Sequence, residues 1–192
     1  VEEASRNFGI LCGFLNAISQ IYITISEELL QEAIYDKVLA IAYPLLQANV
    51  TFTQKSLERI KASIEYGVAP LCYYSNLEYR GDNSVISDED WCEILRLIYS
   101  KPKGCLVAIN MLHMIIQAYS EEKHLSNSII FLGQEFLVNY EFSQKDNECN
   151  MCDYIFRSII KACFADESAK ENAKILCNKL VKGYLKYDFQ VM

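Results

Sequence analysis

Glycine and proline are scarce in this chain, with seven glycines and three prolines in 192 residues. An all-β architecture needs such punctuation at its tight turns, so the scarcity leaves helix as the expected state. No stretch reaches the roughly 18 uninterrupted apolar residues of a membrane span. The longest candidate, Cys105 to Tyr119, is broken by Asn110, His113 and Gln117, so no membrane partner is expected. Histidine occurs only twice, at His113 and His124, which leaves little material for Cys–His or Ser–His nucleophilic catalysis. Nucleophile elbows, phosphate-binding loops, HExxH and dinucleotide glycine patterns are missing as well. The chain is therefore expected not to be an enzyme, with no catalytic residue, no cofactor and no metal assigned. Excess positive charge is also lacking. The net charge is −7, and an acidic chain does not attract a phosphate backbone overall.

What is present is the composition of an ordinary globular domain. Hydrophobic residues make up 52% and charged residues 22%, close to globular averages, and the length suffices for one substantial core. Eight cysteines would suit a disulfide scaffold in a small secreted chain. Here Cys12, Cys72, Cys92, Cys105, Cys163 and Cys177 lie among apolar residues in helix-like surroundings, and the chain is too long to need staples. Buried thiols in a reducing compartment are expected, and with them an intracellular location, cytoplasmic or nuclear. Val1 opens inside an amphipathic pattern with no basic n-region or cleavage site, as in a segment of a longer protein.

Helical periodicity recurs along the chain. Phe8, Leu11, Leu15, Ile18 and Tyr22 are spaced by three or four. Ser26 reads as an N-cap, with Glu27 and Glu28 as solvated acids in the first turn. Leu30, Ile34, Val38, Ile41 and Leu45 continue one apolar face, until Pro44 ends or kinks that helix near Ala42. A third helix follows Thr53, with Leu57, Ile60 and Ile64 inward and Gly67 as its stop. Residues 76–86 are the most loop-like stretch and divide one domain, 1–192, into halves of about 1–75 and 87–192. Ser87 to Asp90 resembles a capping box, Trp91, Ile94, Leu95 and Ile98 follow as a buried face, and Lys101 to Gly104 makes a turn.

Two further helix pairs run from about 105 to 142 and from about 151 to 189. At an offset of 44 residues, Ile115-Ile116-Gln117-Ala118 lies over Ile159-Ile160-Lys161-Ala162, and Leu132, Phe136, Leu137 and Tyr140 lie over Leu176, Leu180, Val181 and Tyr184. A repeated pair of amphipathic helices is the logic of an α-solenoid. The expected fold is all-α, a stack of antiparallel helix pairs with about seven or eight helices.

Met114 to Tyr119, a polar turn, then Ile129 to Leu137 resembles a tetratricopeptide or pentatricopeptide unit, as does Ser158 to Cys163 with the helix after it. The spacing departs from the roughly 34 residues of those families and is nearer armadillo or HEAT arrays. The resemblance implies a groove that presents helix faces to a protein partner. In its pentatricopeptide form it implies RNA reading, with the base-reading position falling on His113 and Arg157.

The remaining candidates each have two readings. Seven basic residues against three acids fall between Arg157 and Lys186. Arg157, Lys179, Lys182 and Lys186 are the candidate nucleic-acid contacts. On a helical wheel, however, Lys179, Lys182 and Lys186 lie opposite the arc of Ala169, Ala173, Leu176, Cys177, Leu180, Val181 and Tyr184, as in a terminal helix with a solvated outer face. Cys149-Asn150-Met151-Cys152 has metal-like spacing, but no second pair completes four ligands unless folding brings Cys163 close. Arg80-Gly81-Asp82 spells an integrin-type tripeptide and reads as a turn. Thirteen tyrosines are present; Tyr66, Tyr73, Tyr74 and Tyr79 crowd the region between the halves. Tyrosine joins large contact area to a polar tip and is enriched at interfaces, so these four are the candidate partner-binding residues. The alternative is that they divide between core and surface as in any helical repeat.

Overall fold

The computed structural model describes residues 2–77, 86–119, 125–142 and 150–188, with side chains described from Phe8 onward except in 150–152 and 183–188. All regular structure among them is helical. Nine α-helices occur among the described residues, more than the seven or eight expected: α1 Glu2–Ile21, α2 Ile23–Ala33, α3 Tyr43–Gln47, α4 Gln54–Tyr66, α5 Asp88–Tyr99, α6 Gly104–Ala118, α7 Asn127–Asn139, α8 Asn150–Cys163 and α9 Lys170–Asp188. Short 3-10 turns cover Ala40–Ala42, Leu71–Leu77 and Glu167–Ala169. None of the helices among the described residues is long and apolar enough to cross a membrane.

The extra helices arise where an apolar period conceals a break. Leu30, Ile34, Val38 and Ile41 look like one face, yet α2 stops at Ala33. Asp36 is the cause: its Oδ1 accepts the backbone N–H groups of Val38 and Leu39, each at 2.8 Å. A side chain that satisfies the backbone in this way competes with the helical ladder. Val38 and Ile41 consequently face solvent. Pro44 then starts α3 rather than ending a helix, because the first turn has no use for the donor that proline lacks. Ser26 is likewise no N-cap. It is buried inside α2, with its hydroxyl donating to the Ile23 carbonyl.

Other boundaries fall where local chemistry placed them. Thr53 caps α4, its backbone N–H donating to Ser56 Oγ at 3.0 Å, and Gly67 terminates it at φ 74°, a left-handed value that favours glycine. Leu57, Ile60 and Ile64 are buried on one side of α4, each burial contributing roughly 1.5–3 kcal/mol. Ser87 Oγ accepts from Asp90 N at 3.1 Å, and Asp90 Oδ2 accepts from Ser87 N at the same distance. Trp91, Ile94, Leu95 and Ile98 are all buried.

The chain divides into two compact units, 1–108 and 109–192. The division lies within α6 rather than in the 76–86 stretch, of which residues 78–85 lie outside the described residues. The reason is that α5 packs on α4, where Lys61 pairs with Glu93. In the first unit α3 is central, touching α1, α2, α4 and the 71–77 turn. Tyr43, Leu46, Tyr74 and Leu77 are buried there.

In the second unit, α7 and α8 run antiparallel. Tyr140, just past α7, packs on Phe156 in mid-α8, while Gln134 Nε2 donates to the Cys163 carbonyl at the end of α8. Like helices run parallel. His113 and Gln117 of α6 meet Tyr154 and Ser158 of α8, and Gln134 and Tyr140 meet Asn172 and Lys179 of α9. Gly133 sets how closely α7 and α8 approach. A Cβ there would lie 2.5 Å from Cys163 Sγ and 3.2 Å from Ile159 Cγ2. We expect Gly133→Ala to destabilise this unit by about 1–3 kcal/mol through overpacking, despite alanine's better helix propensity. Adding Cys163→Ala should recover much of the loss. Urea unfolding of the four proteins measures the coupling; a coupling near zero would mean the two helices part without cost.

Candidate functional site

A connected group of buried polar side chains in the first unit was not expected from the sequence. Glu27 belongs to α2, Tyr43 and Gln47 to α3, Thr53 caps α4, and Ser56 and Arg59 lie within α4. All but Glu27 and Thr53 are buried. Arg59 is 2% exposed and grips Glu27 with two parallel bonds, of 2.6 and 3.0 Å. Its remaining donors reach Gln47 Oε1 and Ser56 Oγ at 3.2–3.3 Å. Tyr43 Oη donates to Gln47 Oε1 at 3.0 Å, and Gln47 Nε2 donates to Ser56 Oγ at 3.2 Å. The hydrogen bonds from Arg59 hold the Glu27 carboxyl below its ordinary range, although burial opposes this. Burial works against the charge on Arg59, yet the bonds to Glu27 outweigh it and keep its pKa raised. Burial raises the Tyr43 phenol far above its ordinary value. Glu27 is thus part of the interior, not a solvated acid at a helix start. Every one of these groups is held by another, so the cluster joins three helices and leaves no nucleophile or proton-transfer group poised.

The candidate tyrosines are divided by the fold. Tyr74 is wholly buried and shares a 2.8 Å hydrogen bond with Ser63, and burial pushes its phenol up to about 12. It is a core residue. Tyr73 is half-buried, and Tyr79 lies outside the described residues. Tyr66 is exposed and meets Tyr35 edge-on, with ring centroids 5.4 Å apart. Tyr35 was not singled out by sequence, because its apparent place in a continuous helix hid it. Val38, Ile41 and Val68, two to six residues from one or other of these tyrosines along the chain, are also exposed.

In the second unit, His113 is enclosed, its ring edge-on to Tyr154 and its Nδ1 without a hydrogen-bond partner among the described residues. Burial lowers its pKa, favouring the neutral ring. An enclosed imidazole is not placed to read a base. Arg157 is exposed but paired with Asp153 one turn earlier on α8. Lys179 reaches the Tyr140 carbonyl at 3.4 Å, Lys182 is exposed, and the Lys186 side chain lies outside the described residues.

Comparison with protein-family models, curated proteins and solved structures finds no match. The reading of function therefore rests on the chain's own residues. The six described cysteines are thiols rather than halves of disulfides. Only Cys92 and Cys163 are buried, whereas Cys72 and Cys177 are exposed; burial pushes the Cys163 thiol up to about 12, which makes it a poor nucleophile. Cys163 ends the helix that contains Cys152, so about 16 Å of helix rise separates them and they cannot share one metal. Cys149, His124 and Arg80 to Asp82 lie outside the described residues. No cluster of three or more His, Cys, Asp or Glu side chains able to hold a metal occurs among the described residues.

Proposed function

We propose that the chain is a non-enzymatic protein–protein interaction module of the α-solenoid type, in which stacked helix pairs present a groove to a partner peptide or helix. The exposed Tyr35–Tyr66 pair carries this reading. Two aromatic rings held edge-on at the surface, with Val38, Ile41 and Val68 exposed a few residues away along the chain, form an apolar anchor of the kind that dominates interface energetics. The parallel stacking of α6 on α8 and of α7 on α9 supports the solenoid element, since that is how successive helix pairs extend an array.

The test is NMR titration of the labelled chain with peptides selected from an amphipathic-helix library. Amide shifts should cluster around Tyr35, Val38 and Tyr66. Tyr66→Glu should weaken binding at least tenfold while leaving the thermal midpoint unchanged, because Tyr66 is half exposed. Peptides that bind nowhere near this surface would overturn the reading. Anisotropy with a mixed-sequence single-stranded RNA separates the nucleic-acid alternative. RNA binding that survives physiological salt and is lost on charge reversal of Lys179, Lys182 and Lys186 would replace a protein partner with RNA.

A further inference from the structure

Helix α1 buries one side and leaves the other open. Leu15 is buried, and Phe8, Leu11, Cys12 and Ile18 are partly covered. At 100° per residue the exposed positions Gly9, Gly13, Ala17, Ile10, Phe14 and Ile21 share one arc of about 140°, with Gln20 as its polar member. Ile10 is 78% exposed, Phe14 54% and Ile21 73%. Two glycines in a helix interior weaken it unless something requires them. Neither adopts a positive φ, and nothing lies within 4 Å of where either Cβ would stand. The folded chain itself does not ask for them.

We infer that this face is the contact through which two copies of the chain associate, with α1 packed on α1 about a two-fold axis. Three observations select a second copy as occupant. The face carries its own complement: a low row, Gly9, Gly13 and Ala17, runs beside a high row, Ile10, Phe14 and Ile21. A two-fold axis lays the high row of each copy into the low row of the other, which is the self-complementarity that an isologous interface demands. Charge points the same way. Residues 7–26 contain no Asp, Glu, Lys, Arg or His, in a chain of net charge −7. Two acidic copies meet here without like-charge repulsion, and a charged partner would find nothing to pair with. Area agrees too. Ile10, Phe14 and Ile21 offer roughly 400 Å² of side-chain surface, about half of the 800 Å² that each partner gives a standard interface and in the range of a weak, reversible association.

This goes beyond the interaction reading above, involves different residues, and stands or falls separately. The experiment is sedimentation equilibrium of the whole chain from about 1 to 200 μM, a range that brackets ordinary homodimers. A reversible monomer–dimer equilibrium is expected. Phe14→Glu should raise its dissociation constant at least 100-fold, with circular dichroism unchanged because the side chain already faces solvent. Gly13→Leu fills the low row and should do the same while raising the thermal midpoint of the monomer, a pair of opposite effects that a merely structural glycine does not give. A chain that stays monomeric throughout, or a dimer indifferent to both substitutions, would overturn the inference.

Discussion

Replacing Glu27 by alanine should destabilise the first unit by about 3–5 kcal/mol, the cost of leaving a buried charge without its partner. Arg59 cannot shed its proton, and Gln47 and Ser56 do not supply the negative charge that balances it. Glu27→Gln should be milder, since an amide oxygen still accepts one bond. The double replacement Glu27→Leu with Arg59→Met should recover much of the loss, because it removes both charges and fills the same space. Urea unfolding of the four proteins is the measurement, and a single-substitution loss below about 1 kcal/mol would mean that water reaches Arg59. The pH dependence follows from the same pairing. The Glu27 carboxyl is depressed in the folded state from its ordinary 4.5, so its contribution is fully present above that pH. It is lost as the pH falls through the lower, folded value. Acid unfolding monitored below pH 4.5 should be less steep in Glu27→Gln than in the parent.

The second large effect is expected at Gly104. A Cβ built there would stand 1.8 Å from the Ile98 carbonyl oxygen and 3.2 Å from Leu71 Cδ1. A backbone oxygen cannot turn aside as a side-chain tip can, so Gly104→Ala must move the end of α5 or the start of α6. A loss on the order of 3 kcal/mol or more is expected, at the upper end of overpacking effects. The adjacent residue provides a control of opposite sign. Lys103 has φ 63°, where a side chain costs about 1–2 kcal/mol, so Lys103→Gly should stabilise. Thermal unfolding of the two single variants checks both. If Gly104→Ala is as stable as the parent, the α5–α6 turn is looser than its geometry indicates.

Local chemistry made much of the fold legible. Thr53, Gly67, Ser87 and Asp90 act on residues within a turn of themselves, so their caps were readable in order along the chain. Leu57, Ile60, Trp91 and Ile94 were readable as core for the same reason: burial follows the helical period. The α2–α3 break was not readable that way. Its apolar spacing continues unbroken from Leu30 to Leu45, and only the small side chain of Asp36, turning back on its own backbone, interrupts the helix. The Glu27–Arg59 pair was hidden by distance, the partners standing 32 positions apart, and an acid directly after a plausible cap resembles a solvated one. Tyr66 was singled out and does stand exposed, whereas Tyr74, eight residues on, is buried. Composition marks both alike; only packing around Ser63 separates them.

The pairing also fixes an order in time. A ribosome delivers Glu27 to solvent 32 residues before Arg59, and during that interval the carboxylate keeps its water because the guanidinium that grips it in the fold has yet to emerge. The face of α2 that Glu27 shares with buried Leu30 therefore stays hydrated while α1, α2 and α3 emerge. Only the arrival of α4 supplies the guanidinium that joins α2 to α3 through Glu27 and Gln47. A chain cut before Arg59 would leave α2 and α3 without the hydrogen bonds that tie Glu27 and Gln47 to α4.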